Sequence, residues 1–148
     1  GYYKEPEATE KAIDKDGWYH TGDLGIMDED GNITIKGRSK NMLLGSSGQN
    51  IYPEEIEDKL NTMTLVGESI IIQKEDKLYA LIHPDMDEAH TLGLSAEDID
   101  KVMESNRREL NAFLPVFSQI SGFRIYEEEF EKTPKKSIKR FLYLDEEI

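Results

Sequence analysis

Two short apolar runs constrain this chain most: Ser69-Ile70-Ile71-Ile72-Gln73 and Lys77-Leu78-Tyr79-Ala80-Leu81-Ile82-His83, separated only by Lys74-Glu75-Asp76. Three consecutive β-branched residues favour extended backbone, and an apolar run without alternation belongs to a strand buried on both faces. The pair reads as a β-hairpin whose first strand is buried on both faces. Around it the pattern changes period. Pro53 opens a helix over about 53–62, with Glu54, Glu55 and Glu57 at its positive end and Ile56 and Leu60 on one face. Ser95 and Asp98 have capping-box spacing, and Ile99, Val102, Met103, Leu110, Phe113 and Leu114 form a helical stripe that Pro115 ends, predicting a helix over about 96–113. Phe123-Arg124-Ile125-Tyr126 is a further strand, and from Glu127 onward the tail is charged. From residue 41 the order is β, α, β, β, α, β, which makes this unit α+β.

The first forty residues differ. Residues 1–17 are polar and cannot build a core, so they are expected to lean on something else and to be mobile in isolation. Leu24-Gly25-Ile26-Met27 and Asn32-Ile33-Thr34-Ile35-Lys36 flank Asp28-Glu29-Asp30-Gly31 as a hairpin with a four-residue loop. The unit boundary is expected near Lys40, after the polar break Gly37-Arg38-Ser39-Lys40.

At 148 residues and 17.0 kDa the chain can hold one domain, or a small domain with a piece of a neighbour. Eighteen basic against 31 acidic side chains leave a net charge of −13, which argues against nucleic acid or an anionic membrane surface as partner. The absence of cysteine removes disulfides, thiolate metal sites and a thiol nucleophile, and agrees with a cytoplasmic protein. No run approaches the roughly 18 apolar residues of a transmembrane span. The opening Gly-Tyr-Tyr-Lys-Glu carries neither an initiating Met nor a signal segment, so a fragment of a longer protein is expected.

Chemistry concentrates in three glycine-punctuated stretches. Trp18-Tyr19-His20-Thr21-Gly22-Asp23 sets a carboxylate at a strand entrance beside a glycine, and a carboxylate accepts two vicinal hydroxyls well. Taken alone, Thr-Gly-Asp is an ordinary turn tripeptide. It is followed by Gly37-Arg38-Ser39-Lys40-Asn41, and then by Gly48-Gln49-Asn50-Ile51-Tyr52-Pro53-Glu54-Glu55-Ile56-Glu57. Together, in this order and spacing, these stretches resemble the adenylate-forming enzymes, and among them the long-chain fatty acid–CoA ligases. Gly1-Tyr2-Tyr3-Lys4 and Pro6-Glu7-Ala8-Thr9 match a stretch slightly upstream in that family, so the likeness spans the chain.

The resemblance implies the following. Asp23 binds the ribose hydroxyls of ATP and Arg38 contacts the nucleotide. Lys40 is the hinge between residues 1–39, the end of a large ATP-binding domain, and residues 40–148, a mobile C-terminal domain. The Gly48 loop serves thioester formation, where a missing side chain leaves room for the pantetheine arm of CoA. A C-terminal lysine, in a loop reading Lys-Ile-x-Arg, meets the substrate carboxylate and the α-phosphate during adenylation. Here the loop reads Thr133-Pro134-Lys135-Lys136-Ser137-Ile138-Lys139-Arg140. If Ile138 and Arg140 set the register, Ser137 stands at the lysine position and Lys136 is the neighbouring substitute. The implied reaction is ATP, fatty acid and CoA giving acyl-CoA, AMP and pyrophosphate, with Mg²⁺ on the phosphates and peripheral membrane contact open to the parent. A fragment without the large domain should be inactive.

No metal site is expected from the sequence: His20, His83 and His90 are scattered, and Asp28-Glu29-Asp30-Gly31 lacks the remaining ligands of a calcium loop. The alternatives are an adenylate-former loading a carrier-protein thiol, which would share all three motifs, and a non-catalytic acidic interaction module, which Ser137 favours.

Overall fold

The computed structural model describes residues 1–146. The backbone divides into two compact units, Gly1–Met42 and Leu43–Ile148.

In the first unit, helix α1 spans Pro6–Ala12 and buries no side chain. Residues 1–17 therefore carry a helix that the sequence pattern does not announce. A helix without an apolar stripe leaves no periodic signal, and this one rests on a first-turn proline, Glu7 at its start and Lys11 at its end. Asp14 organises the following turn. Its Oδ1 accepts from Asp16 N and Trp18 N at 3.0 and 2.9 Å, and its Oδ2 lies 2.9 Å from His20 Nε2. The Trp18 N–H first, and then His20, hold its carboxyl below the usual carboxylate range. Strands β1 (Asp23–Met27) and β2 (Ile33–Arg38) pair antiparallel with a bulge at Leu24/Gly25. The connecting loop runs over residues 28–32, one longer than expected, because Asp28 Oδ1 accepts from Asp30 N and Asn32 N and closes the turn through Asn32.

The second unit opens with the small antiparallel pair β3 (Leu43–Leu44) and β4 (Asn50–Ile51), which leads into helix α2 (Pro53–Leu60). Strands β5 (Val66–Lys74) and β6 (Lys77–Pro84) form the expected hairpin. Its two-residue turn holds Glu75 and Asp76 at φ 47° and 62°, the left-handed pair that matches the twist of such hairpins. Helices α3 (Met86–Thr91) and α4 (Ala96–Phe113) then cross over to β7 (Ile120–Ile125), which pairs parallel to β6. The sheet order is β5-β6-β7. The short α3 gave no sequence signal beyond Asp85, whose side chain caps it by accepting from Glu88 N. The Ser95/Asp98 capping box of α4 is present as expected. Strand β7 begins three residues earlier than Phe123, because Asn111 on α4 takes both polar groups of Ile120, accepting from its N–H and donating to its carbonyl at 2.8 Å each.

Alternation along β5 explains its double burial. Ile71 faces a core made with Ile56 and Leu60 of α2 and Ile99, Met103 and Leu110 of α4. Ile70 and Ile72 face the other way, against Leu81 and Phe130, with Tyr126, Ile138 and Tyr143 around them. The tail is thus not simply a charged solvated segment, since it supplies the second covering layer of the sheet. Phe113, read as part of the α4 stripe, is exposed at 72%. It lies in the last turn of α4, beyond Leu110, the last buried residue of the stripe. Among the described residues no helix is long and apolar enough to cross a membrane.

Candidate functional site

The β1–β2 ladder sets Asp23 opposite Arg38. Arg38 Nη1 donates to Thr21 O at 2.8 Å and lies 2.8 Å from Asp23 Oδ1, while both side chains keep solvent access. The Thr-Gly-Asp turn is built around this pair. Thr21 Oγ1 accepts from Asp23 N at 3.1 Å, Gly22 takes φ 75°, and Gly22 O accepts from Ser39 N at 2.8 Å. An exposed carboxylate fixed at one oxygen by a guanidinium is a ready acceptor for a pair of hydroxyls, with cationic charge beside it for an anionic ligand. Lys40 follows on the 3₁₀ turn Ser39–Asn41, two residues before the first unit ends.

Gly48 closes the β3–β4 hairpin. Its N–H donates to Gly45 O and the Gly45 N–H donates to Gln49 O, both at 2.8 Å. At φ 84° Gly48 occupies the left-handed region, and a Cβ there would meet no atom within 4 Å. The loop tip is open on the side where a side chain would stand, as close ligand approach requires.

The C-terminal basic segment forms a tight loop. Lys132 and Ile138 pair as a β-bridge, Thr133 N donates to Ser137 O, and Lys136 N donates to Thr133 O. Lys136 stands at the tip with φ 61° and is exposed, with Ser137 exposed beside it. Ile138 packs into the aromatic layer, and Lys139 is held by Glu131, its Nζ 2.8 Å from Oε2. The Gly48 hairpin and the Lys136 loop are anchored to different core clusters. Leu43 and Ile51 belong to the helix-covered one, and Ile138 to the tail-covered one.

One feature of this region is silent in the sequence. Glu57, read as an acid at the start of α2, is buried at 7% exposure and is gripped by Arg140 from 83 residues away. Arg140 Nη1 and Nη2 reach Glu57 Oε1 and Oε2, both at 2.6 Å. Ile71 N donates to Glu57 Oε1 at 2.6 Å, and Arg140 Nη1 also donates to Ile71 O at 3.0 Å. Because β5 is the outer strand of its sheet, these bonds satisfy the open edge that Ile71 presents. Burial pushes the Glu57 carboxyl up, with Arg140 opposing.

The second unit has the fold of the small C-terminal domain of an adenylate-forming enzyme. Residues 40–146 match the family profile described as the AMP-binding enzyme C-terminal domain, and the chain belongs to that family. A probable acyl-activating enzyme 10 from Arabidopsis thaliana is 32% identical over 147 residues, covering 96% of this chain and 26% of its own length. The bovine mitochondrial medium-chain acyl-CoA ligase ACSF2 is 47% identical over 79 residues, 53% of this chain and 13% of its own. The adenylation domain of a carboxylate reductase from Mycobacterium chelonae shares the fold, with a TM-score of 0.84 at 21% identity over 97% of this chain and 24% of that one. The chain thus spans about a quarter or less of these proteins.

Proposed function

We propose that the protein carrying this chain is an AMP-forming ligase that activates a long-chain fatty acid as its acyl-adenylate and passes it to CoA. The observation that carries the nucleotide part of this reading is the Asp23–Arg38 pair, which leaves an exposed carboxylate for ribose hydroxyls at the end of a two-stranded ladder, while the fatty acid and CoA rest on the family likeness. Lys40 acts as the hinge between residues 1–39 of the large domain and the mobile remainder, since a few loop residues can absorb the φ/ψ change of a rigid-body swing. In the first half-reaction Lys136 supplies the compact positive charge at the carboxylate and α-phosphate that Ser137 cannot. In the second, the Gly48 loop leaves space for the pantetheine arm. Mg²⁺ belongs on the ATP phosphates.

The test is pyrophosphate exchange by the full-length enzyme over a series of fatty acids, followed by thioester detection with CoA. Exchange that peaks with long chains, followed by acyl-CoA, supports the reading. A peak at medium chains, the class named for the bovine relative, corrects the substrate, and adenylate that only a carrier-protein thiol accepts corrects the acceptor. Ser137 at the lysine position favours one rival, a non-catalytic module, which would show no exchange with any acid.

A further inference from the structure

We propose that Glu57 and Arg140 form a register lock, a positioning pair that decides which residue occupies the tip of the Lys136 loop. This rests on the reading that the loop serves adenylation. Arg140 lies four residues after Lys136, and its guanidinium makes three bonds at once, two to the Glu57 carboxylate and one to Ile71 O. The planar fork meets the carboxylate with two parallel bonds from separate nitrogens. A slip of one residue would bring Lys139 to this position and lift Ile138 from the aromatic layer. An ammonium has its donors on a single nitrogen and cannot give two parallel bonds from separate nitrogens to the two carboxylate oxygens, and Lys139 would also leave Glu131.

Buried ion pairs contribute little net stability against apolar replacements, and their best-attested use is to fix register. The slip is a real alternative here, because Lys135, Lys136 and Lys139 are near-equivalent charges flanking Ser137. The lock holds Lys136 at φ 61°, so that this ammonium and not its neighbour's is presented. Glu57 lies on α2 and Arg140 in the tail, so the pair joins the tail segment to the helix and to the β5 edge at Ile71.

The experiment uses the full-length chain with Arg140→Lys, which keeps the charge and removes the fork, and with Glu57→Gln, which keeps an acceptor for Ile71 N. Two readouts are taken, amide hydrogen exchange and the two half-reactions measured separately. The expected result has three parts: exchange at least tenfold faster at the Lys136 and Lys139 amides with β5–β6 protection unchanged, a fall of at least tenfold in the kcat of pyrophosphate exchange with KM for ATP unchanged, and thiol transfer from preformed adenylate within twofold of wild type. Loop amides that keep wild-type protection overturn the lock. So does a parallel loss of both half-reactions with sheet protection, which would mark the pair as support for the fold alone. A wild-type enzyme without pyrophosphate exchange overturns the proposed function instead, and the amide readout then decides the lock by itself.

Discussion

Asp23 and Arg38 begin and end one antiparallel ladder, and the guanidinium of the second lies 2.8 Å from the carboxylate of the first. The backbone register that pairs these strands therefore also pairs the two side chains proposed to meet the nucleotide. What the pair lacks is a phosphate cradle, since no glycine-rich Gly-Lys-Ser or Gly-Lys-Thr segment occurs in the chain. ATP added to these 148 residues would leave its triphosphate in water. Calorimetric titration should find a Kd no tighter than about 1 mM, equivalent to about 4 kcal/mol. Micromolar binding would mean that the chain contains a complete nucleotide site.

The role of the tail as a covering layer predicts a stability loss from a residue far from any motif. Phe130 is 3% exposed and packs its ring against Tyr126 and Tyr143, with centroids 5.3 and 5.0 Å away. Phe130→Ala should cost about 3 kcal/mol by removing apolar contact and leaving a cavity. Urea denaturation would show it as a lower midpoint at nearly constant slope. An unchanged midpoint would mean that the tail does not cover Ile70 and Ile72 in solution.

The elements legible in the sequence were those whose signal is local. The Ser95/Asp98 box and the stripe from Ile99 to Leu110 mark α4, and Ile70–Ile72 mark a doubly buried strand. What stayed hidden has physical reasons. Helix α1 buries nothing and so has no stripe, and α3 is too short to show one. The tail reads as charged because, among the described residues, the apolar side chains it packs against the sheet, Phe130, Ile138 and Tyr143, come at irregular spacing. For the candidate site, the motif residues were visible as motifs, but the Glu57–Arg140 contact depends on tertiary folding across 83 residues. Neither partner departs from surface-residue composition, so nothing in the linear pattern announces it.

Acid should weaken the fold partly through α4. Arg107 first, and then Arg108, bond the Glu104 carboxylate and hold it down to about 2, against an ordinary 4.5. A carboxyl depressed in the folded state adds stability above its unfolded value, and that contribution is lost as the pH falls from about 4.5 toward 2. Glu104 is partly exposed, so screening keeps the effect to about 1 kcal/mol. Glu104→Gln should therefore lower stability at pH 7 and narrow the gap from wild type near pH 2, as measured by denaturant melts at the two values. A gap independent of pH would assign the loss to packing.

Gly48→Ala separates backbone strain from function. The left-handed φ costs a residue with a Cβ roughly 1 kcal/mol or slightly more, while the space around it is open. The variant should stay folded with a small stability loss. In the full-length enzyme it should slow thiol transfer at least tenfold and leave pyrophosphate exchange near wild type. Equal effects on both steps would remove the Gly48 loop from the thioester reading.

The loop around Lys136 gives the sharpest test, because its two candidate charge positions are adjacent. Lys136→Ala in the full-length enzyme should slow adenylation about a hundredfold, the scale of one transition-state electrostatic contact worth about 3 kcal/mol. Thiol transfer from preformed adenylate should hardly change, since the proposed reading gives that step to the Gly48 loop, which is anchored to a different core cluster. Ser137→Lys should then make Lys136 dispensable, because Ile138 and Arg140 keep the register and the new ammonium stands at the family position. Pyrophosphate exchange and single-turnover transfer, measured on both single variants and on the double, separate these outcomes. If Lys136→Ala exchanges pyrophosphate at the wild-type rate, Lys136 is a solvated charge and adenylation draws its cation from elsewhere.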